Sequence, residues 1–277
     1  MKHDAVLVCV LLLATALNGW IGPLSTQQAN PECVNLNSQS YVEHGAIHIT
    51  SDADFENQAW PGNGTEDNPY RIEGLNITTD SVCVNITGTN AFFVIQDCLF
   101  ASSSNADYSG VHLTNVSHGT VKECTITMLD SGISIIDSVS IDIKSNTIFD
   151  VQSAISSWGL NACNISLNEI YNCTWGIQSW FANDTLLTHN TVYDYRLYGF
   201  MVGGPGSDNI VAYNDIHSSK DQYSEAAILY DSPAWVIEHN SIHDCFEGIE
   251  IWFSGWMSGK MIIRENSFQM VTNTFDI

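Results

Sequence analysis

The sequence predicts an all-β protein: a single-stranded, right-handed parallel β-helix (a solenoid) of about eight to nine coils with an N-terminal cap. Two recurring motifs carry this prediction. In the first, a polar residue is followed by Asn, any residue, and then Ile or another apolar residue, with the Asn at positions 146, 168, 190, 214, 240 and 266. The copies lie 22 to 26 residues apart, and self-similarity at such a period is the signature of a solenoid.

The second motif is a small residue followed by an apolar one, which comes six residues after the Ile in most copies. A short β-branched run also precedes each Asn, so one coil of about 22 residues holds three strands and no helical pattern. Coils stack about 4.8 Å apart, so the Asn amides should bond along their column and Gly should lie where the chain bends. The second motif occurs as Gly132-Ile133, Ala154-Ile155, Gly176-Ile177 and Gly248-Ile249.

The chain divides into three predicted parts. Residues 1–25, with Lys2 before the apolar run 5–17, are typical of a secretory signal peptide, with an uncleaved N-terminal anchor as the alternative. Residues 26–75 are expected to form the cap, and residues 76–277 the β-helix repeats. The sequence stops partway into another coil, so we expect that either the sequence is truncated or another chain or surface packs on that uncapped end.

Composition indicates an exported, acidic protein. The 277 residues include 8 basic and 31 acidic side chains, for a formal charge of −23, which argues against a nucleic-acid partner. An acidic surface is compatible with Ca²⁺, whose ligands are carboxylate and carbonyl oxygens. Seven cysteines follow the signal; Cys98 and Cys124 share a column and are expected to be either a disulfide or buried thiols.

Seven Asn-x-Ser/Thr sequons support a secreted or cell-surface location if they are glycosylated. The alternative is that Asn- and Thr-rich strands generate such sequons by chance. The predicted acceptors are Asn63, Asn76, Asn85, Asn115, Asn164, Asn172 and Asn183.

The stretch PGNGTEDNPYRIEGLNIT at 61–78 and the Gly-Ile…Asn-x-Ile repeat resemble those of archaeal and bacterial right-handed β-helix surface proteins of the NosD-like class. The resemblance covers roughly residues 45–277 and implies the pectate-lyase-like β-helix fold of carbohydrate-associated proteins. Related folds include pectin lyases, polygalacturonases, alginate epimerases, phage tailspikes and a periplasmic protein of copper-enzyme maturation, so the fold alone does not select a function. The Asn-Thr-Asp, Asp-Asp, Gly-His-Gly and Arg-Ile-Lys elements by which polygalacturonases resemble one another do not occur in this sequence.

Acidic residues at one edge of the predicted solenoid are the candidates for catalysis. Asp150 and Asp194 share a column two coils apart, roughly 10 Å, with Asn172 between them. Glycoside hydrolysis needs two carboxylates about 5 Å or about 6.5–9.5 Å apart. Asp208 and Asp221 lie in the longer turns that follow. The alternative is that these Asp residues favour turns for backbone reasons.

A histidine pair suggests a metal site. His217 and His243 share a column on adjacent coils, and Asp244 follows directly, so two imidazoles and a carboxylate could hold a transition metal. The alternative is that the two imidazoles only continue a column of stacked rings from Phe149, Tyr171 and Tyr193.

Three tryptophans suggest a carbohydrate platform. Trp158, Trp180 and Trp252 each come four residues after the small residue of their coil, and the first two should stack. Exposed rings in a row suit the apolar faces of sugars, whereas a buried aromatic ladder would only stabilise a turn.

These observations favour a non-catalytic extracellular or cell-surface module that binds or displays a polysaccharide or glycan. A polysaccharide lyase or glycoside hydrolase of pectate-lyase-like fold is the first alternative. A periplasmic copper-handling protein is the second.

Overall fold

The computed structural model describes residues 41–102, 104, 108–218, 226–252 and 262–276. They form a parallel β-solenoid of about 8 turns, which confirms the predicted fold class. The predicted signal at 1–25 and the acidic candidate Asp221 lie outside the described residues. No helix in the described part of the chain has the length and apolar character needed to cross a membrane.

The elements follow one another along the chain with a single short helix near the start. The first are β1 (Val42–Glu43), β2 (Ile47–Ile49), α1 (Asp52–Asn57), β3 (Tyr70–Glu73), β4 (Leu75–Thr78), β5 (Val84–Thr87), β6 (Phe93–Gln96), β7 (Leu99–Ala101), β8 (Ser109–Thr114), β9 (Gly119–Lys122), β10 (Thr125–Thr127), β11 (Ser131–Ile136) and β12 (Asp142–Lys144). The remainder are β13 (Thr147–Trp158), β14 (Asn164–Ser166), β15 (Glu169–Trp180), β16 (Leu186–Thr188), β17 (Thr191–Tyr193), β18 (Tyr198–Gly203), β19 (Asn209–Ala212), β20 (Asp215–His217), β21 (Ala226–Asp231), β22 (Trp235–Glu238), β23 (Ser241–Ile251), β24 (Ile262–Arg264) and β25 (Ser267–Asp276).

The strands form three faces, and strands of adjacent coils pair in parallel. One face is a nine-stranded sheet in the order β3-β6-β9-β12-β14-β16-β19-β22-β24. The other two faces belong to one 16-stranded sheet, because long strands such as β13 and β15 turn a corner and pair on both faces. Each coil therefore places the same positions of its repeat above those of its neighbours.

The interior is filled by columns of β-branched side chains. Ile148 pairs with Ile170, and Ile170 with Val192, and all three are fully buried. Burying one such side chain contributes about 1.5–3 kcal/mol. A single coil has no second layer to cover this surface, so each coil depends on its neighbours.

The recurring Asn residues form a buried amide ladder, as predicted. Asn146 donates through Nδ2 to the Oδ1 of Asn168 at 3.0 Å, and Asn168 donates to Asn190 at 2.9 Å. The ladder continues through Asn214 and Asn240 at 3.0 and 2.9 Å. Each Oδ1 also accepts the backbone N–H of the preceding Asn, as at 3.0 Å between Asn146 and Asn168. The ladder therefore satisfies the polar groups of a turn that water does not reach.

Glycine recurs at positions where the next coil leaves no room for a Cβ. A Cβ added to Gly132 would lie 2.5 Å from the carbonyl oxygen of Ala154 and 2.6 Å from Cγ2 of Ile148. No real Cβ tolerates such contacts, so the small residue of the second motif is required by packing. The predicted clash of a Cβ at this position is confirmed.

The N-terminal part of the described chain already belongs to the solenoid. Val42 pairs with Leu75, and Ile47 pairs with Val84. Phe55 of α1 is buried and stacks on Tyr70 with ring centroids 4.5 Å apart. Residues assigned to the cap at 26–75 thus supply strands β1 to β3 and the start of β4 as well as a covering helix.

The described cysteines are buried free thiols: Cys83, Cys98, Cys124, Cys163, Cys173 and Cys245. Of the two alternatives for Cys98 and Cys124, the structure has the thiols. Burial raises the pKa of the Cys173 thiol to about 12, so this thiol acts as a core side chain.

Candidate functional site

The acidic candidates occupy turns in which the backbone is left-handed. Asp150, Asn172 and Asp194 have φ of 53°, 51° and 53° and follow one another on adjacent coils. The Asn172 amide donates to the Asp150 carboxylate. Asp208, with φ 57°, lies in a different turn, next to Asp184 of the preceding coil. The described candidates are therefore divided between two turns, and Asx residues suit this conformation for local reasons.

A small pocket adjoins the first of these turns. Its volume is about 230 Å³, and Asn172 and Asp194 contribute to its wall together with Arg196. Asp150 is not among its lining residues. The pocket therefore does not bring the two carboxylates of the predicted pair together.

The histidine column is a continuous stack of rings. Centroids from Phe149 to Tyr171, to Tyr193, to His217 and to His243 are 4.9, 5.0, 5.3 and 4.6 Å apart. The predicted pairing of the two imidazoles on adjacent coils is confirmed, and so is their place in an aromatic ladder. The ladder lies on the outer face of the solenoid, where its side chains are partly exposed.

Both ring nitrogens of His243 contact carboxylates. Nε2 lies 3.0 Å from Oδ1 of Asp215, and Nδ1 lies 2.8 Å from Oδ2 of Asp244. Partial burial opposes the charged form, but the two carboxylates outweigh it and raise the pKa of His243 above its usual value. Asp215 was not predicted, although it lies two residues before His217 on one strand and must therefore share its face.

The tryptophan row is interrupted. Trp158 and Trp180 lie in register on adjacent coils, but the ring of Trp158 packs on Phe181 with centroids 4.3 Å apart. The ring of Trp180 leans over Gly203, where an added Cβ would lie 2.5 Å from it. The predicted ring-on-ring stack of Trp158 and Trp180 is thus replaced by two rings that tilt toward the following coil.

Trp252 is separated from the other two tryptophans. It is 50% exposed, as Trp158 is. Gly203 and Asp231 occupy the same column on the two coils between Trp180 and Trp252. Three coil steps put Trp252 about 14 Å from Trp180, so it belongs to a separate patch of surface.

A shallow groove of about 450 Å³ lies on the outer face of the 16-stranded sheet. It crosses strands β8, β11, β13, β15 and β18. We call it the serine groove. Two columns form its floor, one through Ser131 and Ser153 and the other through Ser134 and Ser156. Its lining residues are Ser109, Asp130, Ser131, Ser134, Gln152, Ser153, Ser156, Trp175, Gln178 and Met201.

Two hydroxyls of the serine groove lack partners in the protein. Oγ of Ser131 and Oγ of Ser153 are buried and make no hydrogen bond to a described group. A buried polar atom left unpaired costs about 1–3 kcal/mol. Both serines line the groove, so a change of side-chain rotamer would present either hydroxyl to a ligand that enters it.

Trp175 closes the column of serines. It pairs with Ser153 on one side and Tyr198 on the other, and it packs against the small apolar cluster that contains Tyr198 and Leu229. The indole is thereby held in place while part of its surface remains exposed. The sequence contained the signal, because Ser109, Ser131, Ser153 and Trp175 each directly precede the small residue of their coil.

The two predicted tryptophans stand beside this groove. On β13, Ser156 and Trp158 flank the buried Ser157, and on β15, Gln178 and Trp180 flank the buried Ser179. Alternate residues of a strand share a face and lie about 7 Å apart. The serine groove therefore has Trp175 within it and Trp158 and Trp180 along one border.

The sequons differ in exposure. Asn76 donates to Glu43 at 2.7 Å, and Asn164 donates to Ser166 at 3.1 Å. Glycosylation of these residues stays a prediction. Asn63, Asn115 and Asn172 are exposed, and Asn76, Asn85, Asn164 and Asn183 are half-buried.

The family model described as "Right handed beta helix region" matches residues 109–268, which is more than half of the chain. The chain belongs to this family. No curated protein matches the sequence of this β-helix.

The solved structures that resemble this β-helix include two with a TM-score above 0.5. One is PfbA, a surface adhesin of Streptococcus pneumoniae, with a TM-score of 0.59 and 12% identity over 74% of this chain and 62% of the adhesin. The other is the enzymatically active domain of tailspike protein 2 from bacteriophage CBA120, with a TM-score of 0.57 and 8% identity over 83% of this chain and 38% of that one. The β-helix thus spans less than two thirds of either protein, and at these identities the likeness shows the fold.

Proposed function

We propose that this β-helix is an extracellular carbohydrate-binding module that holds a glycan in the serine groove without cleaving it. The observation that carries the proposal is the pair of buried, unpartnered hydroxyls of Ser131 and Ser153 beside the fixed indole of Trp175. Sugar recognition combines stacking of apolar sugar faces on aromatic rings with hydrogen bonds to sugar hydroxyls. The groove offers both.

The size and the lining of the groove support a sugar ligand. Its volume of about 450 Å³ falls within the usual range of about 300–1,000 Å³ for ligand sites. Gln152 and Gln178 add amides that donate and accept. Trp158 and Trp180 extend the aromatic surface beyond the groove, so a chain of several sugars has further contacts along the same face.

Charge favours a neutral glycan. The formal charge of −23 creates a field that opposes the approach of polyanions such as uronic acid polymers. Asp130 is the one ionisable side chain among the ten described residues that line the groove. Hydrolysis by the usual route needs two carboxylates flanking the bond, so this lining suits retention better than cleavage.

Two further observations favour an exported protein. The structurally similar adhesin is a surface protein, and the N-terminal sequence is typical of a signal peptide. A surface location would place the groove where extracellular glycans reach it.

Retention on immobilised neutral polysaccharides, followed by a glycan array, tests the proposal. Trp175→Ala should lower the affinity by about tenfold or more, because the apolar face of the sugar loses the indole on which it stacks. Trp175→Phe should keep part of the affinity and guards against a folding defect. Trp252→Ala is the matched control, and we expect it to bind as the wild type does.

The serine pair gives a sharper test. The double variant Ser131→Ala, Ser153→Ala should bind about tenfold more weakly while losing no stability, because each hydroxyl lacks a partner in the protein. Unchanged retention in this variant and in Trp175→Ala would contradict the proposed groove. Release of reducing or unsaturated ends from any polysaccharide would instead identify an enzyme.

A further inference from the structure

A cluster of His and Asp side chains lies where β20 and β23 pair, on a different outer face from the serine groove. Asp215 and His217 flank the buried Ile216 on β20, so both side chains point outward. In register on the next coil, His217 pairs with His243. One ligand atom from each of Asp215, His217 and His243 lies within 4.8 Å of the other two.

We propose that Asp215, His217 and His243 bind a divalent first-row transition metal ion of the Zn²⁺ or Cu²⁺ class. The Nε2 of His243 and the Oδ1 of Asp215 are 3.0 Å apart. Two ligands of a tetrahedral ion at 2.0–2.2 Å stand about 3.3–3.6 Å apart, so this pair needs to open by only a few tenths of an ångström. His217 completes the site by a movement of about an ångström, which its partly exposed position allows.

The ring stack limits how far the two imidazoles can turn. His217 lies between Tyr193 and His243, with ring centroids 5.3 and 4.6 Å away. Rotation of the imidazole is therefore restricted before an ion arrives. Such preorganisation lowers the entropic cost of assembling a site from side chains on two coils.

Asp244 supports the site from outside. Its Oδ2 lies 2.8 Å from Nδ1 of His243. A ligating His commonly gives its second ring nitrogen to a carboxylate, which fixes the tautomer and raises the basicity of the ligating nitrogen. The predicted set of His217, His243 and Asp244 is thereby revised: Asp215 supplies the oxygen ligand, and Asp244 orients His243.

The donor set selects the ion. Two imidazoles and one carboxylate suit Zn²⁺, Cu²⁺ or Ni²⁺, whereas Ca²⁺ and Mg²⁺ prefer sites built from oxygen. Three protein ligands leave one position for water or an external ligand. The negative charge of the whole chain, −23, raises the local concentration of cations.

A neighbouring column provides an internal comparison. His189, Tyr213 and His239 also stack, with centroids 5.2 and 4.9 Å apart. Here Tyr213 lies on the coil between the two histidines. Nε2 of His239 lies 3.0 Å from Oε2 of Glu265. This column has the same architecture but places no second imidazole beside His239, so His239→Ala is the matched control.

The test is calorimetric titration of the full chain, without a histidine tag and after chelator treatment, with Zn²⁺, Cu²⁺, Ni²⁺ and Ca²⁺ salts. We expect one Zn²⁺ or Cu²⁺ ion per chain, and no Ca²⁺ at this site. His217→Ala and His243→Ala should each weaken the affinity by about tenfold or more, and Asp244→Asn by about tenfold. His239→Ala should bind as the wild type does, and circular dichroism should show that all variants are folded.

Three results would overturn the proposal. The first is the absence of stoichiometric transition-metal binding by the wild type. The second is binding that persists unchanged in the His217→Ala, His243→Ala double variant. The third is an equal loss in His239→Ala. Because the serine groove lies on another face, loss of metal binding should leave glycan retention unaltered.

Discussion

Replacing Asn190 with Ala removes the middle amide of the buried ladder. The Asn190 side chain donates to the Ile165 carbonyl at 2.9 Å and to Oδ1 of Asn214 at 3.0 Å. It accepts from the backbone N–H of Asn168 at 3.1 Å and from its Nδ2 at 2.9 Å. Four hydrogen bonds are therefore lost at a position that water does not reach.

The magnitude follows from the groups left behind. The backbone N–H of Asn168 loses its acceptor, and an unpaired buried donor costs about 1–3 kcal/mol. The remaining lost bonds contribute about 0.5–1.5 kcal/mol each. We therefore expect Asn190→Ala to lower the free energy of unfolding by about 2.5–7.5 kcal/mol, which is a large share of the stability of an ordinary domain.

Urea denaturation followed by tryptophan fluorescence measures this change. Asn161→Ala is the matched control, because Asn161 is exposed and should change the free energy of unfolding by less than about 0.5 kcal/mol. Asn190→Asp keeps the acceptor but places a buried carboxylate against two oxygens, so it should destabilise at least as much as Ala. A loss below about 1 kcal/mol in Asn190→Ala would refute the view that the ladder holds adjacent coils together.

Three further predictions concern packing, reactivity and pH. Gly132→Ala should lower the free energy of unfolding by about 1–3 kcal/mol through overpacking, whereas Gly45→Ala, which meets no atom within 4 Å, should be near neutral; thermal melts would decide. Cys173, whose pKa burial raises to about 12, should resist iodoacetamide at pH 8 until the chain is unfolded, as peptide mass spectrometry can show. Burial lowers the pKa of His112 below its usual 6.5, so its contribution is fully present above that pH and is lost as pH falls toward the folded pKa; His112→Gln should remove this part of the pH dependence of the melting temperature.

The repeat was predictable because stacking imposes one register on the whole chain. The Asn residues recur every 22 to 26 residues. The spacing varies because the coils differ in the length of their turns, which lie outside the stacked strands. Atoms of the next coil restrict which side chains fit at Asn168 and Gly132, so the same residue types recur in the sequence at these positions. The division at 26–75 was harder to place, because strands β1 to β3 are short and precede the first clear copy of the repeat.

The sites were harder to predict because their residue types are common, and only their neighbours in space mark them as sites. Serine is common in turns and strands, so the column Ser109, Ser131, Ser153 carries meaning only once Trp175 and the unpaired hydroxyls are seen beside it. Asp215 could have been found from the two-residue period of a strand. The tilt of Trp158 onto Phe181 could not, since it depends on the ring's surroundings.

The amide ladder has a direction. In every bond between two Asn side chains of the ladder, Nδ2 donates to the Oδ1 of the following coil, so a coil can be added in one orientation alone. Duplicating residues 168–189 would insert a unit whose donors and acceptors match both neighbours. The molecule would lengthen by about 4.8 Å, and the serine groove would gain one coil, because Trp175 and Gln178 lie within the duplicated residues. The length of the groove can therefore be set in steps of one coil, while Asp215, His217 and His243 keep their register.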